Sequence, residues 1–183
     1  MSIDIILLSF VIALLRGGRL REVPKFAKLR FLIISLLLQG CSALFPAMGG
    51  LFVSLSYLFT LLFFYHNREH EDIRIFMIGW SLNAVTIWAN FGKMPLDLEQ
   101  ARKLPYSLEP VINGTDFKHS VLTADSNLPF LADIIYMPFP IARVISIGDL
   151  FIMLGAFLLV QRIMNKPISL KGLREGRSYA ARN

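Results

Sequence analysis

The stretch Leu51–Tyr65, LFVSLSYLFTLLFFY, contains no Asp, Glu, Lys, Arg or His. A surface helix of a soluble domain keeps a polar face for water, so its apolar residues are broken up at a period of 3.6. Here the apolar residues run on instead. Four more blocks of this kind lie along the chain: Ser2–Leu15, Phe31–Phe45, Ile75–Asn90 and Val144–Ile163. Each can extend a few residues into its flanks, towards the ~20 residues that a ~30 Å hydrocarbon layer requires. Backbone polar groups in lipid must bond within their own segment, so each block is expected to be a helix.

Composition agrees. The chain of 183 residues is 55% hydrophobic and 12% aromatic, with mean hydropathy +0.56. The expected fold class is all-α: one integral membrane domain with five transmembrane helices and a long, partly helical outer loop, 91–143, between the fourth and fifth. Pro46–Gly50, PAMGG, separates the second and third blocks and should make them a tight hairpin. The N-terminal block has no basic residues ahead of it and carries Asp4. It reads as a retained helix rather than a cleaved signal peptide. Cys41 is the single cysteine, so no disulfide forms within the chain.

The net charge of +6 is gathered in short flanks, which fits membrane topology and not nucleic-acid binding. Arg16–Arg30 holds six Lys/Arg against one Glu. Asn165–Asn183 holds five against one. Both should face the cytoplasm. Five spans then put the N-terminus outside, the turn HNREHEDIR inside, the slightly acidic loop 91–143 outside and the tail 164–183 inside. In the loop, NLPFLADII has Asn127 placed to cap a short helix with Pro129 in its first turn. The sequon Asn113-Gly114-Thr115 reads as turn chemistry.

The chain has no phosphate-binding glycine loop, HExxH or metal-type His/Cys cluster, so no metal and no cofactor is expected. His66 and His70 stand four apart but read as a hydrated helix end. Trp80, Trp88, Tyr57 and Tyr65 suit packing or interfacial roles. The polar residues that stand out fall on the expected outer side: Asn90, Lys93, Lys118, His119, Asp133 and Asp149. Ser146-x-x-Asp149 before an apolar run has the form of a capping box, which accounts for Asp149 without any chemistry. Asp133, in FLADIIYM, lacks that account. It reads either as an interfacial carboxylate paired with Arg143 or Lys118, or as a working group. If Asp133 and Asp149 met, they would share a proton and act as acid and base. Asn90, Lys93, Lys118 and His119 would then bind substrate or stabilise an oxyanion.

Gly17-Gly18-Arg19-Leu20, Asn90-x-Gly92-Lys93-Met94-Pro95, Lys118-His119, Leu131-Ala132-Asp133 and Ser146-Ile147-Gly148-Asp149 together resemble a family of small bacterial multi-pass membrane proteins of unknown function. The likeness runs from about Arg16 to Gln161. Phe91 stands where a second glycine is expected. The resemblance implies a bacterial inner-membrane protein and supplies no activity. Ala132-Asp133-Ile134 and Ile145–Asp149 are also locally similar to the aspartate elements of signal peptidase II, and Asn90-x-Gly92 to its Asn-x-Gly element. Ser146 replaces that enzyme's Asn, its Gly-Asn-x-x-Asp-Arg element is missing, and no pair of helices separates Asn90 from Asp133.

Three roles follow. The first is a small accessory component packing against a membrane partner or a second copy through Gly148, Gly155 and Ala156. The second is an intramembrane aspartyl hydrolase acting at the outer leaflet through Asp133 and Asp149. The third is an oligomeric transporter, disfavoured by spans that carry almost no ionisable groups at mid-depth.

Overall fold

In the computed structural model the described residues are 3–20 and 24–169. Ser2, Arg21, Glu22 and the tail beyond Ser169, which entered the reading of spans and charge, lie outside them. The elements run α1 Ile3–Leu15, α2 Leu29–Leu44, α3 Gly49–His66, α4 Glu71–Ala89, β1 Met94–Leu96, α5 Leu98–Ala101, α6 Glu109–Ile112, β2 His119–Val121, β3 Ile135–Met137, β4 Arg143–Ile145 and α7 Ile147–Ile163.

The protein is mostly helical, and each apolar block of the sequence holds one of the long helices. One of them is long and apolar enough to cross a membrane by length and composition: α3 with the 3-10 turn before it, 21 residues from Pro46 to His66. The apolar helices α1 and α2 are shorter, at 13 and 16 residues. α4 spans 19 residues but begins with Glu71 and Asp72, and α7 spans 17.

Residues 26–155 form one compact unit, and α1 with residues 156–169 belongs to another. In the first, α2 and α3 make the expected hairpin, joined by a buried hydroxyl bond of 2.6 Å between Ser35 and Thr60. Phe64 of α3 stacks on Phe76 of α4 at 5.4 Å between centroids, and Tyr57 lies 5.3 Å from Trp80. Asn67, in the turn between them, exchanges two hydrogen bonds with the Ala27 backbone, of 2.8 and 3.0 Å. His66 Nδ1 lies 2.8 Å from the Leu62 carbonyl, the helix-end role read from sequence.

The α4–α7 contact depends on missing side chains. A Cβ on Gly79 would collide with the Gly148 carbonyl, and one on Gly148 would collide with the Asn83 amide oxygen. A Cβ on Gly155 would stand 2.9 Å from the Phe76 ring. Gly148 and Gly155, expected to pack against a partner, therefore close on α4 of the same chain.

In the second unit, Ala13, Val160 and Met164 form a small core. Gln161 is fully buried: its Nε2 donates to the Ser9 carbonyl at 3.0 Å and its Oε1 accepts from Arg16 at 2.5 Å. Gly17 has φ +74, a left-handed turn that glycine adopts without strain. That turn follows α1 and lets the Arg19 N–H reach the Met164 carbonyl at 2.9 Å.

The long helices bury small polar residues beside apolar ones such as Val53, Phe63, Ile73, Phe76 and Ile87, and leave many leucines exposed. Ser35, Ser42, Ser56, Thr60, Asn83 and Thr86 are buried, whereas Leu36, Leu37, Leu44, Leu58, Ile78 and Val85 are exposed. Apart from the Ser35–Thr60 pair, the buried hydroxyls bond within their own helix: Ser42 donates to Gln39 O at 2.7 Å, Ser56 to Val53 O at 2.9 Å and Thr86 to Leu82 O at 2.9 Å.

The segment between α4 and α7 was expected to be short helices and turns. It also contains strands. β1 pairs in parallel with β2, Met94 opposite His119, and β3 pairs antiparallel with β4, Ile135 opposite Ile145. Ile-Tyr-Met and Arg-Val-Ile flank a proline-rich turn, and β-branched and aromatic residues favour a pleated, half-buried surface. Val144 and Ile145, assigned from sequence to the last helix, belong to β4. Asn127 is not the cap of the Pro129–Leu131 turn: Leu128 holds that position at φ 51 with no side-chain bond. Asn127 instead ties the segment to α4. Leu96, Ala101, Leu104 and Val111 form the core of this small lobe, with Tyr136 and Val144 against it.

Candidate functional site

Two polar clusters sit in the unit 26–155. The first begins with Ser146, wholly buried ahead of α7. Its Oγ accepts from the Asp149 N–H at 3.0 Å, and its own N–H donates to Asp149 Oδ2 at 3.2 Å. This is the reciprocal capping box read from the sequence, with Asp in the usual Glu position. Sequence reasoning missed its third member, Asn83 of α4. Asn83 Nδ2 donates to Asp149 Oδ1 at 2.9 Å, and Asn83 Oδ1 accepts from Ser146 Oγ at 2.8 Å. The one available signal was a lone amide within an apolar block.

The second cluster lies in the lobe. The Asp133 backbone is held on β1: its N–H donates to Pro95 O at 3.0 Å, and its carbonyl accepts from the Asp97 N–H at 3.0 Å. β2 lies along the other edge of β1 and brings His119 to the same place. Asp133 Oδ2 stands 3.8 Å from His119 Nε2. On the far side of the ring, His119 Nδ1 meets Asp116 Oδ1 at 3.3 Å. Asp116 Oδ1 also accepts from the backbone N–H of Lys118, 2.7 Å, and of His119, 2.6 Å. Asp116 therefore fixes the imidazole with Nδ1 as the donor and Nε2 turned towards Asp133. Asp116 too was missed; its signal was the three-residue spacing to His119 within DFKHS.

The two carboxyls of this cluster differ in environment. The His119 hydrogen bond, aided by the backbone N–H groups and opposed by burial, holds Asp116 well below the usual carboxylate range. Burial, with the Asp149 charge beside it and the His119 charge against it, pushes Asp133 up to about 7. Asp133 is 6% exposed, and its Oδ1 has no hydrogen-bond partner among the described residues. Beside it is a cavity of about 200 Å³ with apolar walls from Leu96, Leu104 and Val144 and with Asp116, His119 and Asp133 along one side.

The remaining residues singled out from sequence hold backbone in place. Asn90 donates to Thr86 O and to Asn127 O, both at 2.8 Å, and accepts from Asn127 N at 2.9 Å. Lys93 Nζ donates to Gly114 O at 3.1 Å. Lys118 Nζ lies 5.3 Å from the Phe117 ring centre. Of the six, His119 and Asp133 line the cavity. The neighbour of Asp133 is His119 in place of the expected Arg143 or Lys118. No group of three or more His, Cys, Asp or Glu among the described residues could hold a metal ion.

The model of a family of unknown function, DUF5317, matches residues 23–161. An uncharacterized protein of Thermotoga maritima is 33% identical over 162 residues, covering 86% of this chain and 89% of that protein. No solved structure matches the chain. A family match over most of the chain, with a relative aligned over nearly its whole length, establishes that this protein belongs to the DUF5317 family.

Proposed function

We propose that the chain is an integral protein of the bacterial cytoplasmic membrane with five spans, N-terminus outside and C-terminus inside, serving as a small accessory component that holds the lobe 94–145 at the outer face. The observation that carries this reading is the burial of small polar residues between the helices while many leucines stay exposed. Hydroxyls and amides face inward and leucines face outward, as packing in lipid favours, because hydrocarbon gives no drive to bury leucine and small polar residues allow close helix approach. The short helices α1 and α2 reach across with their flanks or with local thinning of the bilayer. Because Gly148 and Gly155 are used within the chain, a partner docks on the exposed leucines of α2 instead.

The test uses the single native cysteine. In a Cys41→Ser background, Asp125→Cys should react with an impermeant maleimide in intact cells, and Glu69→Cys only after permeabilisation. Both positions are exposed. Labelling of both in intact cells would remove α4 as a span, and the reverse pattern would invert the topology. Cross-linking in native membranes should give a stoichiometric membrane-protein partner or a second copy; a purely monomeric product would end the accessory reading.

A second reading is an outer-leaflet aspartyl hydrolase using Asp133 and Asp149. It is favoured by one observation: Asp133 lies in the field of Asp149 and titrates near neutrality. Against it, both Asp149 oxygens already accept hydrogen bonds in the cap. Loss of a hydrolytic activity in both Asp133→Asn and Asp149→Asn, with folding intact, would promote it over the first.

A further inference from the structure

The geometry points to the lobe cavity as a binding site for a small primary ammonium ligand with a short apolar body, held by Asp133 Oδ2 and by His119 Nε2. Three observations carry this. Asp133 is nine-tenths buried and lines the cavity, with Oδ1 sealed and without a partner among the described residues and Oδ2 beside His119. A buried carboxylate short of donors is costly, of order 1–3 kcal/mol, so a donor that reaches Oδ2 from the cavity gains what the apo protein lacks. His119 Nε2 is 3.8 Å from Asp133 Oδ2, too long for a direct bond, and it is turned towards Asp133 by Asp116 on the other nitrogen. In the neutral ring, with Nδ1–H given to Asp116, His119 Nε2 and the ionised Asp133 are two neighbouring acceptors, and an ammonium offers three donors and no acceptor.

Charge and size narrow the class. The cavity lining contains Asp116 and Asp133 and no Lys or Arg, and Tyr106 adds an aromatic face. Carboxylate plus aromatic face is a chemistry that holds ammonium. Since a water takes ~30 Å³ of liquid, about 200 Å³ accommodates a ligand of roughly six to eight heavy atoms, well below drug size. The apolar walls match a short branched or cyclic hydrocarbon.

Binding is linked to protons. Asp133 faces His119 on β2 and Tyr106 ahead of α6, and it feels Asp149 of α7; Asp116 lies behind His119, and Arg143 of β4 acts on Tyr106. A cation at Asp133 favours its ionised form, so a proton leaves Asp133 to solvent as the ammonium enters. An aliphatic amine stays charged well past pH 8.

The experiment is calorimetric titration of the purified full chain in detergent with 3-methylbutylamine, 3-methylbutanol and 3-methylbutanoate. The amine should bind at least tenfold more tightly than either analogue. Its affinity should rise about tenfold between pH 6 and pH 8, following ionisation of a group with pKa about 7. Asp133→Asn should lose at least tenfold and His119→Gln severalfold. Asp125→Asn, on the exposed loop, should leave binding unchanged. Unfolding temperatures of each variant separate loss of the site from loss of the fold. Equal binding of the alcohol, preference for the carboxylate, no binding of any of the three, or full affinity in folded Asp133→Asn would each overturn the assignment.

Discussion

Asn83 Nδ2 donates to Asp149 Oδ1 at 2.9 Å, so the cap of α7 is completed by a residue from the middle of α4. In the network Asn83–Ser146–Asp149, which Tyr57 of α3 joins at Asn83, the amide, the hydroxyl and both carboxylate oxygens each have a partner. Ser146→Ala removes a cap and should cost about 1 kcal/mol. Asn83→Ala should cost more, about 1–3 kcal/mol, because it leaves a carboxylate oxygen and a hydroxyl unpaired in the interior. Thermal unfolding in detergent orders the two. A milder loss in Asn83→Ala than in Ser146→Ala would reduce the network to an ordinary cap.

Asp133 should be a destabilising residue at neutral pH. Its folded pKa, about 7, lies above the usual carboxylate value of 3.8. Between those values the folded state holds the proton that the unfolded state has released. Stability therefore falls as pH rises from about 4 to about 7, with a slope approaching 1.4 kcal/mol per unit, and is flat above. Asp133→Asn mimics the protonated form. It should match the parent near pH 4 and unfold several degrees higher at pH 8. Asp116 has the opposite sign, and its contribution is present above about pH 4 and lost as pH falls below it. An Asp133→Asn curve parallel to the parent from pH 4 to 8 would contradict the assignment.

Glycine substitutions should divide by position. Gly40→Ala in α2 meets nothing within 4 Å and should stabilise by about 0.5–1 kcal/mol. Gly148→Ala drives a methyl into the Asn83 amide and Gly79→Ala drives one into the Gly148 carbonyl. Each should cost at least 1–3 kcal/mol. Yields of monodisperse protein, with unfolding temperatures, read this difference directly.

Asn90 and Asn127 form a staple between the end of α4 and the loop that follows it, and Asn127 Nδ2 adds a bond to Ala89 O at 2.8 Å. Asn127→Ala should free the segment 122–131 locally and leave the helices intact. Amide hydrogen exchange should speed up across that segment and remain unchanged in α3 and α4.

Much of this was legible in advance. Long apolar blocks fixed the large helices, PAMGG the hairpin, and Ser146-x-x-Asp149 the start of α7. Strands β1–β4 were not, because three-residue strands are too short for alternation to show and owe their pairing to partners about ten to forty residues away. Asn83 was hidden because a single amide inside an apolar run carries no local sign of what it will meet. Asp133 stood out as a carboxylate in an apolar stretch, but its neighbour depends on how β1 and β2 align. Nothing in the separate stretches MPL and HSV specifies that parallel register.

Pro95 lies fully buried in β1, between β2 and Asp133. A further parallel rung before Asp133 would need the amide hydrogen of residue 95 to reach the carbonyl of residue 131, and proline has none. The zipper between β1 and this segment therefore stops after one tooth. The chain ahead of Asp133 is released to coil away as the Pro129–Leu131 turn, and Asp133 stands at the fork. A ring that cannot donate thus sets where the strand parts and where the carboxyl is held.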